Sequence, residues 1–339
     1  MAATYEIDFI NNTHRVRDVS TKMIEQIAMD TPVTSMLPKG PRALSSTPEW
    51  PLKTYNAART TGVLEGAIGA YQSNLANKTM LAGRFQKMDR NPSVNKEAML
   101  MVRQYGVSGD PLQDNLADCY KELAVDVEAT VLSDNESVVP VADTTASKTR
   151  GILRWLSHKD GRFTDTATTP ALAYRTVTGE IISNKAAASN VTEANIASLV
   201  VAVAKQRKKD MQSFVGICTP DMRNQFGEFV TKVDAGASFA TFPVYGWSQK
   251  LGEINREVTV YKSSLGRIML VTSFQLDATV AHFILLDRDM AQLSYAQAPK
   301  FTKNPDTTYG ERGVLDVLFV NEVLNPQAHG KVIVSSTDI

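Results

Sequence analysis

The 339-residue sequence predicts an α+β fold of two lobes with projecting extended segments, on three observations. A long amphipathic helix pattern fills 110–134, strands and helices alternate through the 190–272 region, and long apolar strand patterns follow Ala281.

In the long helix, Asp110 is a favourable N-cap and Pro111 suits the first helical position. Leu112, Leu116, Cys119, Leu123, Val127 and Val131 recur at steps of three and four, a stripe that needs a partner surface. The other side carries Asp114, Asp118, Glu122, Asp126 and Glu128 and reads as an acidic face. At 1.5 Å per residue such a helix spans roughly 35 Å.

Upstream, 1–46 combines a polar start, a helix pattern at 16–29 (Val16, Val19, Met23, Ile27) and a proline-rich stretch. Pro32, Pro38, Pro41 and Pro48 predict no regular helix between Asp30 and Trp50, only an extended arm whose Val33, Met36 and Leu37 need burial. Strand patterns at 49–55, led by Trp50, and at 79–88 flank a stretch rich in Ala and Gly, with Gly62, Gly66 and Gly69 and no period. A connection this long is uncommon inside a compact domain and reads as a projecting hairpin, ordered by a neighbouring molecule or a ligand.

Downstream of the long helix, 135–190 is irregular and dense in Ser, Thr and Ala. Arg150-Gly151-Ile152-Leu153-Arg154-Trp155-Leu156 interrupts it as an apolar clamp within a polar surface segment, with Trp155 in a packing role. Thr192 caps a helix with Ile196, Leu199, Val200 and Val203 on one face and Lys205, Arg207, Lys208 and Lys209 at its end. A strand at 214–218, a helix at 220–230 opened by Thr219-Pro220-Asp221, and strands at 258–261 and 267–272 make the second lobe. Strands at 283–287, 290–296, 314–324 and 331–334 complete the chain.

Lys and Arg total 36, as do Asp and Glu, and the zero net charge argues against a dedicated nucleic-acid binder. Cys119 and Cys218 have no paired spacing and read as small buried apolar residues of a reducing compartment. Neither a signal-peptide pattern nor an apolar run of membrane-spanning length is present in the sequence.

No catalytic, cofactor-binding or metal residues are predicted. Asp118, Glu122 and Asp126 share a helix face, but no His completes a carboxylate metal site, and the face reads as solvated or paired with a neighbour. His14, His158, His282 and His329 follow no zinc spacing, and no nucleophile elbow occurs. The glycines at 62, 66 and 69 fit neither a dinucleotide fingerprint nor a phosphate loop, and the cations at 205–209 are explained by the dipole of the helix they end.

A chain without a catalytic constellation, balanced in charge and rich in projecting segments, reads as a building block. In order and spacing its features resemble the major capsid proteins of tailed bacteriophages, of Hong Kong 97-type fold. The residues that carry the resemblance are Asp30-Thr31-Pro32 with Ser35-Met36-Leu37, Glu49-Trp50, Glu65-Gly66, Val127-Glu128 ending the long helix, and Gly151 with Trp155. Further on come Val258-Thr259-Val260-Tyr261 with Gly266, Phe283-Ile284-Leu285-Leu286-Asp287, Asn321-Glu322-Val323-Leu324-Asn325 and Ala328-His329-Gly330. The chain departs from the pattern at Tyr309-Gly310-Glu311, where a Lys-Thr-Gly-Asp-like turn is expected, and at Leu265, where an aromatic is expected.

The resemblance implies an N-terminal arm at 1–46, an E-loop at 47–92, a peripheral (P) domain at 93–189 with spine helix 110–134, an axial (A) domain at 190–282, and C-terminal P-domain strands at 283–339. It implies homo-pentamers and homo-hexamers of an icosahedral head around double-stranded DNA, which lies non-specifically against the inner face. The implied partners are a portal protein and, as further candidates, scaffolding and decoration proteins, with no membrane and no cofactor. Any scaffold is expected to be a separate protein or a segment already cleaved. The expected location is the virion, after assembly in the host cytoplasm. Some relatives join an E-loop Lys to a P-domain Asn, which here would draw on Lys78 or Lys87 with Asn321 or Asn325. The alternatives are an encapsulin-type compartment shell and, from another class, a hydrolase or metal-dependent enzyme.

Overall fold

A computed structural model describes residues 29–42, 45–53, 55, 58, 60–66, 78–97, 111–141, 144–156, 180–182, 191–208, 211–231, 260–263, 265–278, 281–305 and 310–333. The helix pattern at 16–29 lies almost wholly outside them, as does Asp110.

The arm is not wholly extended: α1 (Pro32–Met36) is a short helix with Pro32 in its first turn. The sequence expectation of no helix fails because proline at a helix start loses no intrahelical bond and already has helical φ. Val33 is fully buried and Leu37 nearly so, as that stretch requires.

Strands β1 (Glu49–Lys53) and β2 (Lys78–Ala82) pair antiparallel, Trp50 opposite Leu81. The single strand expected over 79–88 is two, because the chain breaks at Gly83 and resumes as β3 (Gln86–Arg90) in another sheet. Gly83 sets the break: its N–H donates to the Pro48 carbonyl, and a Cβ there would meet Val320 at 2.8 Å and the Trp50 ring at 3.2 Å. Strand β4 (Ser93–Asn95) follows.

The long helix is α2 (Pro111–Val131). Of its predicted stripe Leu112, Cys119, Leu123, Val127 and Val131 are buried, and Leu116 packs against the core. Next comes α3 (Ile152–Trp155), where the sequence suggested a polar surface segment. Instead Thr149, Arg150 and Arg154 are buried with the apolar residues, because Glu136 neutralises both guanidinium groups.

After β5 (Glu180–Ile182), α4 (Glu193–Arg207) starts at Thr192 with a capping box: Thr192 Oγ1 accepts from the Asn195 N–H, and Asn195 Oδ1 accepts from the Thr192 N–H. Strand β6 (Met211–Cys218) leads into α5 (Pro220–Thr231), where Thr219 Oγ1 accepts from the Met222 amide. The remaining strands are β7 (Val260–Ser263), β8 (Gly266–Thr272), β9 (Ala281–Asp287), β10 (Ala291–Lys303), β11 (Gly310–Val323) and β12 (Gly330–Ile333).

Among the described residues there are two larger sheets besides the β1-β2 pair. One runs β10-β11-β3, with β4 pairing the start of β11, and the other runs β5-β12-β9-β6-β8-β7. The C-terminal strands, grouped together in the sequence reading, therefore divide: β10 and β11 stay beside α2, whereas β9 and β12 bond into the sheet of β6 and β8.

The six-stranded sheet is covered on both sides at its centre. Along β9, Phe283 and Leu285 face a core under α4 and α5, while Ile284 and Leu286 face the core of α2, α3 and the β10-β11 sheet. That is why β9 reads as an unbroken apolar run instead of alternating.

Candidate assembly site

The site is built around the buried end of α2. Glu128, assigned to the acidic face by sequence, is fully buried. Its Oε2 accepts from the Val33 N–H (3.0 Å), the Thr34 N–H (3.2 Å) and Thr34 Oγ1 (3.3 Å). Its Oε1 accepts from Ser273 Oγ at 2.7 Å, just past the end of β8. One carboxylate thus ties the arm and the six-stranded sheet to the long helix. Burial pushes the Glu128 carboxyl above its ordinary range, against the opposing pull of Ser273, Thr34 and Val33. A signal for this was present in the sequence: Val131 and Leu132, three and four residues on, are both apolar.

A second junction fixes the root of the β1-β2 hairpin. Trp50 of β1 meets Trp155 of α3 with ring centroids 5.9 Å apart, and the Arg150 guanidinium stacks over Trp155 at 4.8 Å. Arg150 and Arg154 each donate from Nε to Glu136 at 2.6 Å. Burial pushes the Glu136 carboxyl up, but the Arg150 charge, the bonds from Arg154 and Arg150 and the Ser137 amide outweigh it and hold the group below its ordinary value. Asn321 closes the junction, its Nδ2 donating to the Arg150 carbonyl at 3.0 Å and its N–H to Thr149 Oγ1 at 3.1 Å.

Above these anchored roots, apolar residues face outward. Tyr55, Val63, Leu64 and Met80 lie on the hairpin, with Leu64 84 % exposed, and Val139 and Val141 lie on a smaller turn closed by bridges from Val138 to Lys148 and Val141 to Thr145. Elements held rigidly at one end while presenting apolar side chains to solvent at the other suit burial against another molecule.

Arg90 forks onto Asp126 at 2.7 and 2.9 Å and reaches Glu122 at 3.2 Å, so that part of the acidic face is paired by a neighbouring strand. Among the described residues no group of three or more His, Cys, Asp or Glu is placed to hold a metal ion, and no helix is long and apolar enough to cross a membrane. Arg207 pairs with Asp287 at 2.8 Å. His329, fully buried, accepts from the Asp287 N–H at Nδ1, and burial lowers its pKa to about 3 against the pull of the Met290 carbonyl. Cys119 and Cys218 are buried free thiols, as the sequence suggested. Of the cross-link candidates, Lys87 pairs with Asp316 at 3.7 Å, Asn321 is fully buried, and the Asn325 side chain caps a turn by accepting from the Gln327 N–H. His14 and His158 lie outside the described residues.

Comparison with solved structures gives the class. A capsid chain of the native GTA particle matches with a TM-score of 0.62 at 11 % identity, over 98 % of this chain and 100 % of that one. A capsid chain of cyanophage A-1(L) matches with a TM-score of 0.59 at 15 % identity, over 96 % and 98 % of the two chains. A chain of Gordonia phage Cozz matches with a TM-score of 0.58 at 14 % identity, over 94 % and 91 %. The fold is thus that of the tailed-phage capsid proteins of Hong Kong 97 type.

The profile of the SU10 major capsid protein matches residues 3–336, and the chain belongs to that family. It is a major capsid protein of tailed phages, a multimeric-shell component of the virion, and its family is a structural one and not an enzyme family. The encapsulin and hydrolase alternatives find no support in these matches. No curated protein sequence matches the chain.

Proposed function

We propose that this capsid protein assembles as homo-pentamers and homo-hexamers into an icosahedral head around double-stranded DNA, after folding in the host cytoplasm. The observation that carries the proposal is the outward set of Tyr55, Val63, Leu64 and Met80 on a hairpin whose root is locked by Trp50 against Trp155. Residues 1–46 serve as the arm, 47–92 as the E-loop, and 93–189 with α2 as the body of the P domain. The A domain comprises 190–282 extended by β9 and β12, whose strand pairing favours that grouping, while β10 and β11 belong with the P domain.

Balanced charge suits a wall that must let a polyanionic genome enter and leave, since every neutralised phosphate would add salt-dependent affinity. Contacts that are weak singly and strong together let misplaced subunits dissociate during assembly. A portal protein, a scaffold and decoration proteins complete the proposed set of partners.

Electron microscopy of the chain expressed alone and with a candidate scaffold tests the proposal. The expected products are rings, shells or tubes. A monodisperse monomer under both conditions, across salt and concentration, overturns it.

A further inference from the structure

The six-stranded sheet is covered on both sides at its centre but not at its β7 edge. In β8, Ile268 and Leu270 belong to the core under α4 and α5, so Arg267, Met269, Val271 and Ser273 face the opposite side. Ser273 fixes which side that is, because its hydroxyl reaches Glu128 of α2. In β7, Tyr261 lies in the α4-α5 core, which puts Val260 and Lys262 on the α2 side, Val260 opposite Met269 and Lys262 opposite Arg267. Cover thins along this face: Ser273 is buried and Val271 half-buried, but Met269 is 51 % exposed and Val260 36 %. Val271, Met269 and Val260 thus form an apolar strip that ends at the exposed cations Arg267 and Lys262.

The arm enters the fold beside this strip. The Val33 and Thr34 amides of α1 bond one oxygen of Glu128 while Ser273 bonds the other, and α1 lies against β8. The chain therefore reaches α1, through Met29, Asp30 and Thr31, next to the end of β8. Before it come residues 1–28, outside the described residues, in which Val16, Val19, Met23 and Ile27 recur at helical steps. A helix this short is marginal alone in water and needs a surface for its apolar side. The two spacings match: four residues of helix advance about 6 Å and two residues of strand about 6.6 Å, so Ile27, Met23 and Val19 fall in step with Val271, Met269 and Arg267. Reach favours the same copy, since Ile27 stands five positions before Pro32 and can lie at most about 18 Å from it.

We infer that residues 16–27 pack as a helix on the β7-β8 face of their own chain, with Ile27 on Val271, Met23 on Met269 and Val260, and Val19 on the aliphatic stems of Arg267 and Lys262. Long cationic side chains cover apolar surface in this way while their charged heads stay in water. The arm then straps the two lobes together: α1 is held to α2 by Glu128, and the segment before it covers the edge of the six-stranded sheet. A single copy suffices, whether or not the chain assembles.

The full chain carrying both Met23→Cys and Met269→Cys, treated with a short bismaleimide and digested with trypsin, tests the placement. Both native cysteines are buried and do not compete, and the Met269 change falls on an exposed side chain. Cleavage after Lys22, Lys39, Arg267 and Arg288 is expected to release peptide 23–39 joined to peptide 268–288. An equimolar mixture of the two single variants is expected to give no such link. A link in the mixture would mean that another copy supplies the segment and overturns the inference, as do unlinked peptides from the double variant. Independently, deleting residues 2–28 is expected to speed peroxide oxidation of Met269 at least threefold, read by mass from the same tryptic peptide. An unchanged rate would mean that the strip is open in the full chain or is covered by residues 232–259, and either overturns the placement.

Discussion

Glu128 and Ser273, 145 positions apart in the chain, meet through a 2.7 Å hydrogen bond, and the other oxygen of the same carboxylate holds the arm helix by two backbone amides. Replacing Glu128 with Ala leaves the Val33 amide without its acceptor inside the protein, and a buried unsatisfied donor costs about 1–3 kcal/mol. Glu128→Ala is expected to lose about 3 kcal/mol in urea unfolding of the monomer. Amide exchange at Val33 and Thr34 is expected to accelerate more than exchange in α5, which lies beyond the other core.

The carboxylates of Glu128 and Glu136, the first buried and the second half-buried, respond to acid with opposite sign. Burial raises the Glu128 pKa, so the folded chain takes up its proton before the unfolded chain does, and this group adds stability as pH falls through its folded value. Glu136 is lowered, so its contribution is full above the ordinary value of 4.5 and is lost as pH falls below that toward its folded value. Thermal melts of monomer from pH 7 down to pH 3 are the measurement. Glu136→Gln is expected to flatten the acid loss, and Glu128→Gln to remove a gain and so steepen it.

Gly151 stands where α3 turns in against the end of α2. A Cβ there would lie 1.9 Å from the Ser133 carbonyl oxygen, which is backbone and cannot swing aside. Gly151→Ala is expected to destabilise the monomer by about 3 kcal/mol, at the upper end of the usual overpacking cost. At Gly83 the nearest atom is a Val320 methyl at 2.8 Å, so Gly83→Ala is expected to cost about 1 kcal/mol. Paired urea titrations of the two variants check the order.

Periodicity carried most of the fold. The α2 stripe, the Thr192 cap and the strands near 214, 267, 283 and 314 were legible because each is a local pattern repeated along one element. What failed was what depends on partners distant in sequence. Pro32 misled because its place at a helix start is decided by where Val33 finds burial. Glu128 misled because the four donors that justify burying it come from residues 33, 34 and 273. The split of the C-terminal strands between two sheets was hidden for the same reason, since β9 and β10 look alike in isolation and differ only in what they pair with. At the assembly site the hairpin was visible as a long connection without a core. A groove at its foot, lined by Arg84, Val139 and Leu318, was not, because these residues meet only in the folded chain.

Val63 and Leu64 are mainly exposed, whereas the root is held by Trp50 on Trp155 and by Gly83 on Pro48, all of which lie outside 57–77. Deleting 57–77 with a short Gly-Ser replacement should therefore leave the monomer within ~0.5 kcal/mol of wild type, as for changes away from a core. Closing β1 to β2 with fewer residues even lowers the loop entropy lost on folding. Particle formation should nevertheless fall at least tenfold by electron microscopy and sedimentation, because the outward apolar residues would no longer reach a neighbour. Global unfolding of the deletion in circular dichroism would mean that the segment belongs to the core of its own chain. Undiminished particle yield would mean that the contacts holding neighbouring copies lie elsewhere on the body.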